Sequence, residues 1–186
     1  LAALFGGRAW FEQQDRHAES ASANYEAMMQ ELNSNQSDKA ADYAAQILGQ
    51  YADTPYATLA ALTMAKIKVD ANDLVAAKSH LRWAVDHATQ GELSLVAQLR
   101  LARVLASEGN HDEAMELVSG VQPGSYKAAF EELRGDLYVA KGQIEQARTA
   151  YTLALATLDQ GSRLRQFVQL KLDDLGKAAE PVTGDS

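Results

Sequence analysis

Apolar residues recur every three or four positions along most of this 186-residue chain. That period is typical of amphipathic helices, and no run of strict alternation is long enough to predict a strand. The pattern breaks at turn residues such as Asn33-Ser34-Asn35, Asp53-Thr54-Pro55 and Gly142, with Thr54 a candidate helix cap. It predicts helices over 8–33, 37–51, 56–71, 73–89, 91–108, 110–119, 124–141, 143–158 and 162–175.

Small residues mark a longer period on top of the helical one. Ala102, Gly109 and Ala114 are followed by Gly135, Gly142 and Ala147, each 33 residues further on. The same order recurs upstream at Ala65, Asn72 and Ala77, and more faintly at Met29, Gln36 and Ala41. A period near 34 residues, with small residues where helices cross, indicates tetratricopeptide-type helical hairpins.

The last repeat is the best specified. Counted from Ala128, it places small residues at positions 8, 20 and 27 and aromatic residues at positions 11 and 24. These are Gly135, Ala147, Ala154, Tyr138 and Tyr151. Small residues let two helices approach closely, and large ones fill the space beside the crossing.

The predicted fold class is therefore all-α, a tetratricopeptide-like solenoid of helical hairpins. It would contain about three and a half repeats and a C-terminal capping helix at 163–175. The earlier repeats match less well, since position 11 of the first is Lys68. The half repeat before it would use Met29, Ala41, Ala45 and Leu48.

The first helix of each hairpin lines the concave face of such an array, and its columns predict a groove that is apolar at its centre. The candidate partner-binding residues are Leu59, Leu62, Lys66, Val69, Val96, Leu99, Arg103 and Val139. An apolar strip with a polar rim suits an extended or helical peptide. Aspartate at Leu62 and Leu99 is expected to abolish capture without unfolding the domain. Two alternatives stay open: a helix of the same chain (8–33 or the C-terminal one) fills the groove, or the strip serves a homodimer.

Charge and composition exclude several function classes. The formal charge is -8 with a pI near 5.0, and basic residues are scattered, so nucleic acid is not expected as a partner. The absence of cysteine removes thiol catalysis and cysteine-ligated zinc. His80 and His87 share a helix face about 10 Å apart, too far to share one ion. No catalytic motif is present, so no enzyme activity, cofactor or metal is predicted.

Both ends of the chain differ from the middle. Leu1–Phe11 is typical of the exit end of a membrane helix with an aromatic anchor, although an ordinary amphipathic first helix fits equally. Its eleven residues span about 16 Å as helix, against about 30 Å for a bilayer core. The expected boundaries are residues 1–11 for the end of an anchor, 12–176 for the domain and 177–186 for a disordered tail.

Several runs together carry a family resemblance. Leu99–Val104, Leu133–Asp136, Lys141-Gly142 and Ala147–Tyr151, with the lead-in Phe5–Trp10, resemble the YfgM-like proteins, ancillary subunits of the bacterial Sec translocon. The resemblance implies a single-pass protein of the bacterial inner membrane whose tetratricopeptide-like domain lies in the periplasm. It also implies partners, namely the SecYEG channel, a periplasmic chaperone and newly exported clients. It supplies no catalytic residue.

The expected function is that of a non-enzymatic, membrane-anchored module that holds a chaperone or an emerging client. A regulatory adaptor that sequesters a signalling protein is the alternative, as is a soluble tetratricopeptide scaffold.

Overall fold

The computed structural model describes the backbone of residues 2–178 and the side chains of residues 13–176. Its α-helices are α1 (Ala2–Asn33), α2 (Ser37–Gln50), α3 (Pro55–Asp70), α4 (Leu74–His87), α5 (Gly91–Ser107), α6 (His111–Val118), α7 (Lys127–Ala140), α8 (Ile144–Ala156) and α9 (Arg163–Ala178). A 3-10 turn, Gly124–Tyr126, replaces the predicted start of α7. No strand occurs in residues 2–178, and the all-α tetratricopeptide-like class is confirmed.

Four identical turns close the first helix of each hairpin. Positive φ angles occur at Asn35 (57°), Asn72 (58°), Gly109 (82°) and Gly142 (71°). At the last of these, Gly142 N–H donates to the Val139 carbonyl (2.9 Å) and Gln143 N–H to the Tyr138 carbonyl (2.8 Å). The same pair of bonds recurs at the other three turns, so each helix ends in a Schellman motif.

These turns correct the register of the first hairpin. Asn35 and Asn72 lie 37 residues apart, whereas the sequence assignment matched Gln36 with Asn72, a spacing of 36. The residues equivalent to Ala65 and Ala77 are therefore Met28 and Ala40, and both are fully buried. The sequence assignment to Met29, Ala41, Ala45 and Leu48 was wrong by one position, because it carried a shorter period upstream than the structure has.

The helix starts are capped unequally. Thr54 precedes α3, but its hydroxyl donates to the Tyr51 carbonyl (2.8 Å) and makes no capping bond, so that detail of the prediction was wrong. Pro55 at the first turn supplies a pre-set φ instead. Asp73 does cap α4 by accepting from the Ala76 N–H at 3.1 Å.

The chain divides into two compact units, residues 1–98 and 99–186. In the first unit, α1 packs on α2 and α3, α2 packs on α3, and α3 packs on α4. Its apolar cluster consists of Met28, Ala40, Ala44, Ile47, Ala57, Ala60 and Met64. Small residues dominate that list, which allows the helix axes to approach closely.

In the second unit, α6 packs on α7, α7 on α8, and α8 on α9. A Cβ placed on Gly135 would lie 2.8 Å from Cζ of Tyr151 and closer still to two other ring carbons. Position 8 must therefore be glycine where position 24 is tyrosine, which confirms the predicted crossing. Val168 and Leu175 of α9 are buried against the α8 cluster, so the predicted capping helix is also confirmed.

The predictions for the two ends lie largely outside the described residues. The backbone of α1 begins at Ala2, but the side chains of Leu1–Phe11 are not described. In the predicted tail, α9 continues to Ala178, and residues 179–186 are not described. Across the described helices, none has both the length and the apolar character that spanning a membrane requires.

Candidate partner-binding surface

The predicted groove residues of the first unit differ widely in exposure. They are Leu59, Leu62, Lys66, Val69 and Val96. Leu62 is only 4% exposed, whereas Val69 is 40% exposed. Lys66 is exposed and pairs with Asp70 at 2.6 Å along the helix surface. The accessible part of this set is therefore the C-terminal half of α3.

The second unit repeats this contrast. Leu99 is 7% exposed, whereas Val139 is 39% exposed and Arg103 is exposed. Aspartate at Leu62 or Leu99 would bury a carboxylate without a partner, at a cost of several kcal/mol. Those substitutions therefore test stability rather than binding, contrary to the expectation that the domain would stay folded.

A buried carboxylate lies on α7, at position 5 of the last repeat. Glu132 is only 4% exposed. One oxygen accepts from the Arg103 guanidinium at 3.0 Å, and the other accepts from the ammonium of Lys171. A buried charge is tolerated where it is paired and hydrogen-bonded, and two cations meet that condition here.

The same lysine extends the network to Asp136, at position 9 of the last repeat. Lys171 Nζ donates to both oxygens of Asp136, at 2.6 and 2.7 Å. The Tyr151 hydroxyl also donates to Asp136 at 2.7 Å. Burial of Tyr151, followed by its hydrogen bond to Asp136, raises the pKa of the phenol well above its ordinary value. The phenol is thereby held neutral as a donor.

This network answers, for α7, one of the alternatives that the sequence left open. Lys171 belongs to α9, so the C-terminal helix of the chain itself pairs with Glu132 and Asp136, the groove positions 5 and 9 of α7's repeat. Sequence reasoning missed Lys171, because it has no place in the repeat. The available signal was the pair of acids at positions 5 and 9, which needed a cation once buried.

Exposed large apolar residues mark the remaining accessible surface of the described side chains. They are Val69, Val75, Val139, Leu153, Phe167 and Leu170. Val69 and Val139 hold the same repeat position, near the end of the first helix of their hairpins, with nearly equal exposure. Val75 and Leu153 lie on second helices, α4 and α8.

Two open cavities, of about 270 and 370 Å³, flank Arg134 on α7. Its guanidinium already donates to both oxygens of Glu131, at 3.1 and 3.3 Å. Glu145 adds a second carboxylate to the lining of the smaller cavity. The charge of Arg134 is thus paired within the unit. The larger cavity is also lined by Lys127.

The histidines lie in separate local contacts. His17 contacts Asp53 at 2.8 Å, and this hydrogen bond lowers the pKa of the Asp53 carboxyl. Burial, aided by a nearby lysine, lowers the pKa of His80. His87 stacks on Trp83 with ring centroids 4.4 Å apart. Among the side chains of residues 13–176, no group of three His, Asp or Glu is placed to hold a metal ion.

Comparison with known proteins gives the family. A family model described as a tetratricopeptide repeat-like domain matches residues 1–177. An ancillary SecYEG translocon subunit of Aggregatibacter actinomycetemcomitans is 33% identical over 92% of this chain and 83% of its own length. Proteins of the same name from Haemophilus influenzae and Escherichia coli are 29% and 28% identical over 94% of this chain and 84% of their own lengths. The chain therefore belongs to the tetratricopeptide repeat-like domain family and, within it, to the family of the ancillary SecYEG translocon subunits.

Proposed function

We propose that this protein is a non-enzymatic interaction module of the SecYEG translocon that holds a periplasmic chaperone or a newly exported client. The observation that carries the proposal is the 33% identity to a protein named as an ancillary SecYEG translocon subunit, which covers 92% of this chain. The hairpin architecture supports it, since tetratricopeptide-type arrays present side chains for protein binding along their first helices.

The proposed contact surface uses the groove residues that stay accessible after folding. On α3 these are Lys66 and Val69, and on α7 the corresponding residue is Val139. The two valines are 40% and 39% exposed at equivalent positions, although α3 and α7 differ elsewhere in sequence. An apolar contact repeated at one position of a hairpin suits an extended or helical partner segment.

The proposal includes the location of the domain. Residues Leu1–Phe11 would form the end of a single membrane anchor, with the helical domain in the periplasm. A protease added to spheroplasts should then digest the domain while leaving cytoplasmic proteins intact. Protection of the domain until the membrane is lysed would contradict the periplasmic location.

Exposed valines allow a matched test of the surface. Val69→Asp and Val139→Asp place a charge on first helices, whereas Val75→Asp and Leu153→Asp place one on second helices at comparable or greater exposure. We expect the first pair to lower crosslinking to SecYEG and its bound clients by about tenfold, since a central apolar contact is worth 1–2 kcal/mol or more. The second pair should stay within about twofold of the unsubstituted chain.

Thermal unfolding of each variant separates lost binding from lost fold. Because all four positions are exposed, each unfolding midpoint should change little. Equal crosslinking by the first-helix variants and the second-helix variants would place the contact outside the surface formed by Val69 and Val139. An absence of any crosslink between the unsubstituted protein and SecYEG would overturn the translocon assignment itself.

A further inference from the structure

Helix α9 carries two large apolar residues that remain exposed on the second unit. Its inner face packs against α8 through Val168 and Leu175. Outside that packing, Phe167 is 52% exposed and Leu170 is 56% exposed. A helix that closes a repeat array ordinarily presents a polar outer face to water, so these two residues require an explanation.

Four exposed residues of α9 form a stripe that is complementary to itself when its direction is reversed. Arg163, Phe167, Leu170 and Asp174 follow one another at spacings of four, three and four residues, which places them in one stripe of the helix. All four are exposed. Rotation by 180° about the point midway between Val168 and Gln169 exchanges Phe167 with Leu170, and the arginine with the aspartate.

We propose that this stripe pairs with the same stripe of a second copy of the chain in an antiparallel, two-fold symmetric dimer. In that arrangement Arg163 of each chain faces Asp174 of its partner, and each Phe167 faces a Leu170. A two-fold interface must be complementary to itself, and this stripe meets the condition in both apolarity and charge.

The order of the two charges along α9 is the opposite of the one that the helix dipole favours. Arg163 is the first residue of α9, and Asp174 lies towards its end. The helix dipole favours the reverse order, with acids near the start and bases near the end. Asp174 already takes part in an interaction within its own chain and, being exposed, can also face the arginine of a second copy.

One contact within the chain uses Phe167 already. The Lys171 ammonium lies 4.5 Å from the centroid of the Phe167 ring, so the ring shields one side of the ion pairs of that lysine. Half of the residue still faces solvent. Covering it by a second copy would remove water from the network of Lys171, Glu132 and Asp136 and so link dimer formation to the stability of the second unit.

The first test is sedimentation equilibrium of the 186-residue chain. A single helix pair buries less than the roughly 1,200–2,000 Å² of stable complexes, so we expect a dissociation constant on the order of 100 µM. The double substitution Phe167→Ser/Leu170→Ser should raise it about tenfold or more, because each change acts twice in a symmetric dimer. Leu153→Ser, on α8 and 42% exposed, is the matched control and should change it less than about twofold.

Charge reversal tests the pairing directly. Arg163→Asp and Asp174→Arg should each weaken association about threefold to tenfold. The double reversal should restore it to within about twofold and should not destabilise the helix, because it also suits the dipole. Independent, additive losses in the double variant would contradict the pairing.

The absence of cysteine from the chain gives a third test. Chains carrying only Arg163→Cys and chains carrying only Asp174→Cys should form a disulfide when mixed and little when oxidised alone. Disulfides within each separate population would indicate a parallel pair and overturn the proposal. A chain that is monomeric up to about 1 mM would also overturn it and leave the face to a partner of different sequence.

Discussion

The α3–α4 and α7–α8 hairpins share one backbone design but stabilise it differently. At repeat positions 8 and 24, α3–α4 carries the buried residues Ala65 and Leu81, whereas in α7–α8 Gly135 packs against Tyr151. The second pair combines a smaller residue at position 8 with a larger one at position 24. What the tyrosine adds is a hydroxyl, which donates to Asp136 and joins the crossing to a network of charges.

That difference extends to the surroundings of each hairpin. The buried polar residues described in the first unit are the uncharged Thr54 and Thr58. In α7, by contrast, Glu131 and Glu132 are 8% and 4% exposed and paired with arginine or lysine. Apolar packing tolerates many partners, but a buried carboxylate tolerates only a correctly placed cation. The second design therefore specifies which helix follows the hairpin, namely α9 with its Lys171.

The crossing itself should give the largest effect. Gly135→Ala would stabilise an open helix by about 1 kcal/mol through helix propensity alone. Here it should destabilise by about 3 kcal/mol, because the added methyl overlaps the Tyr151 ring. Chemical denaturation measures both the sign and the size.

A double variant sharpens this prediction. Gly135→Ala combined with Tyr151→Leu copies the Ala65/Leu81 pairing into α7–α8 and should recover about half of the loss or more. A result in which Gly135→Ala is neutral would show that the two crossings do not differ in closeness.

The second prediction compares Lys171, which pairs with α7 from α9, with Lys66 of α3. Lys171→Met keeps an aliphatic stem but leaves Glu132 and Asp136 short of a cation, and it should cost about 2 kcal/mol. Lys66→Met removes an exposed i,i+4 pair with Asp70 and should cost less than about 0.5 kcal/mol. Free energies of unfolding at two salt concentrations distinguish the pairs, because only the exposed one is readily screened.

Alkaline pH should affect the two crossings unequally. The pKa of Tyr151 is raised in the folded state, so above about pH 10 the unfolded chain releases a proton that the folded chain keeps. Stability should therefore fall as pH rises, by up to about 1.4 kcal/mol per unit from this group. Tyr151→Phe should remove that component, which equilibrium unfolding between about pH 9 and 11 would detect. An unchanged slope in Tyr151→Phe would contradict a shifted phenol.

The smallest effect is expected at the turns. Asn72 and Gly142 both adopt positive φ after their first helices, where glycine is unstrained and asparagine is tolerated. Asn72→Gly should stabilise by less than about 1 kcal/mol, whereas Gly142→Asn should destabilise by a similar amount. Thermal unfolding of both variants would show whether the two turns are interchangeable.

Prediction from sequence succeeded where the information was local. The nine helices of residues 2–178 followed from the apolar period and the turn residues, and the Gly135/Tyr151 crossing followed from the repeat. It failed in the weakly matching first hairpin, where a spacing of 36 instead of 37 residues selected Met29 and Ala41 in place of the buried Met28 and Ala40. Leu62 and Leu99 occupy groove columns in the repeat but are buried, because burial depends on every neighbouring element.

The sequence by itself determined the hairpins and their small-residue crossings, since these depend on residues within one repeat. It also carried the palindromic stripe of α9, whose four members lie within twelve residues. Only the tertiary structure decided that Lys171 meets Glu132 and Asp136, which are 39 and 35 residues away, and that the stripe faces outward. Pairing of buried charges is a property of positions in space, and no period along the chain records it.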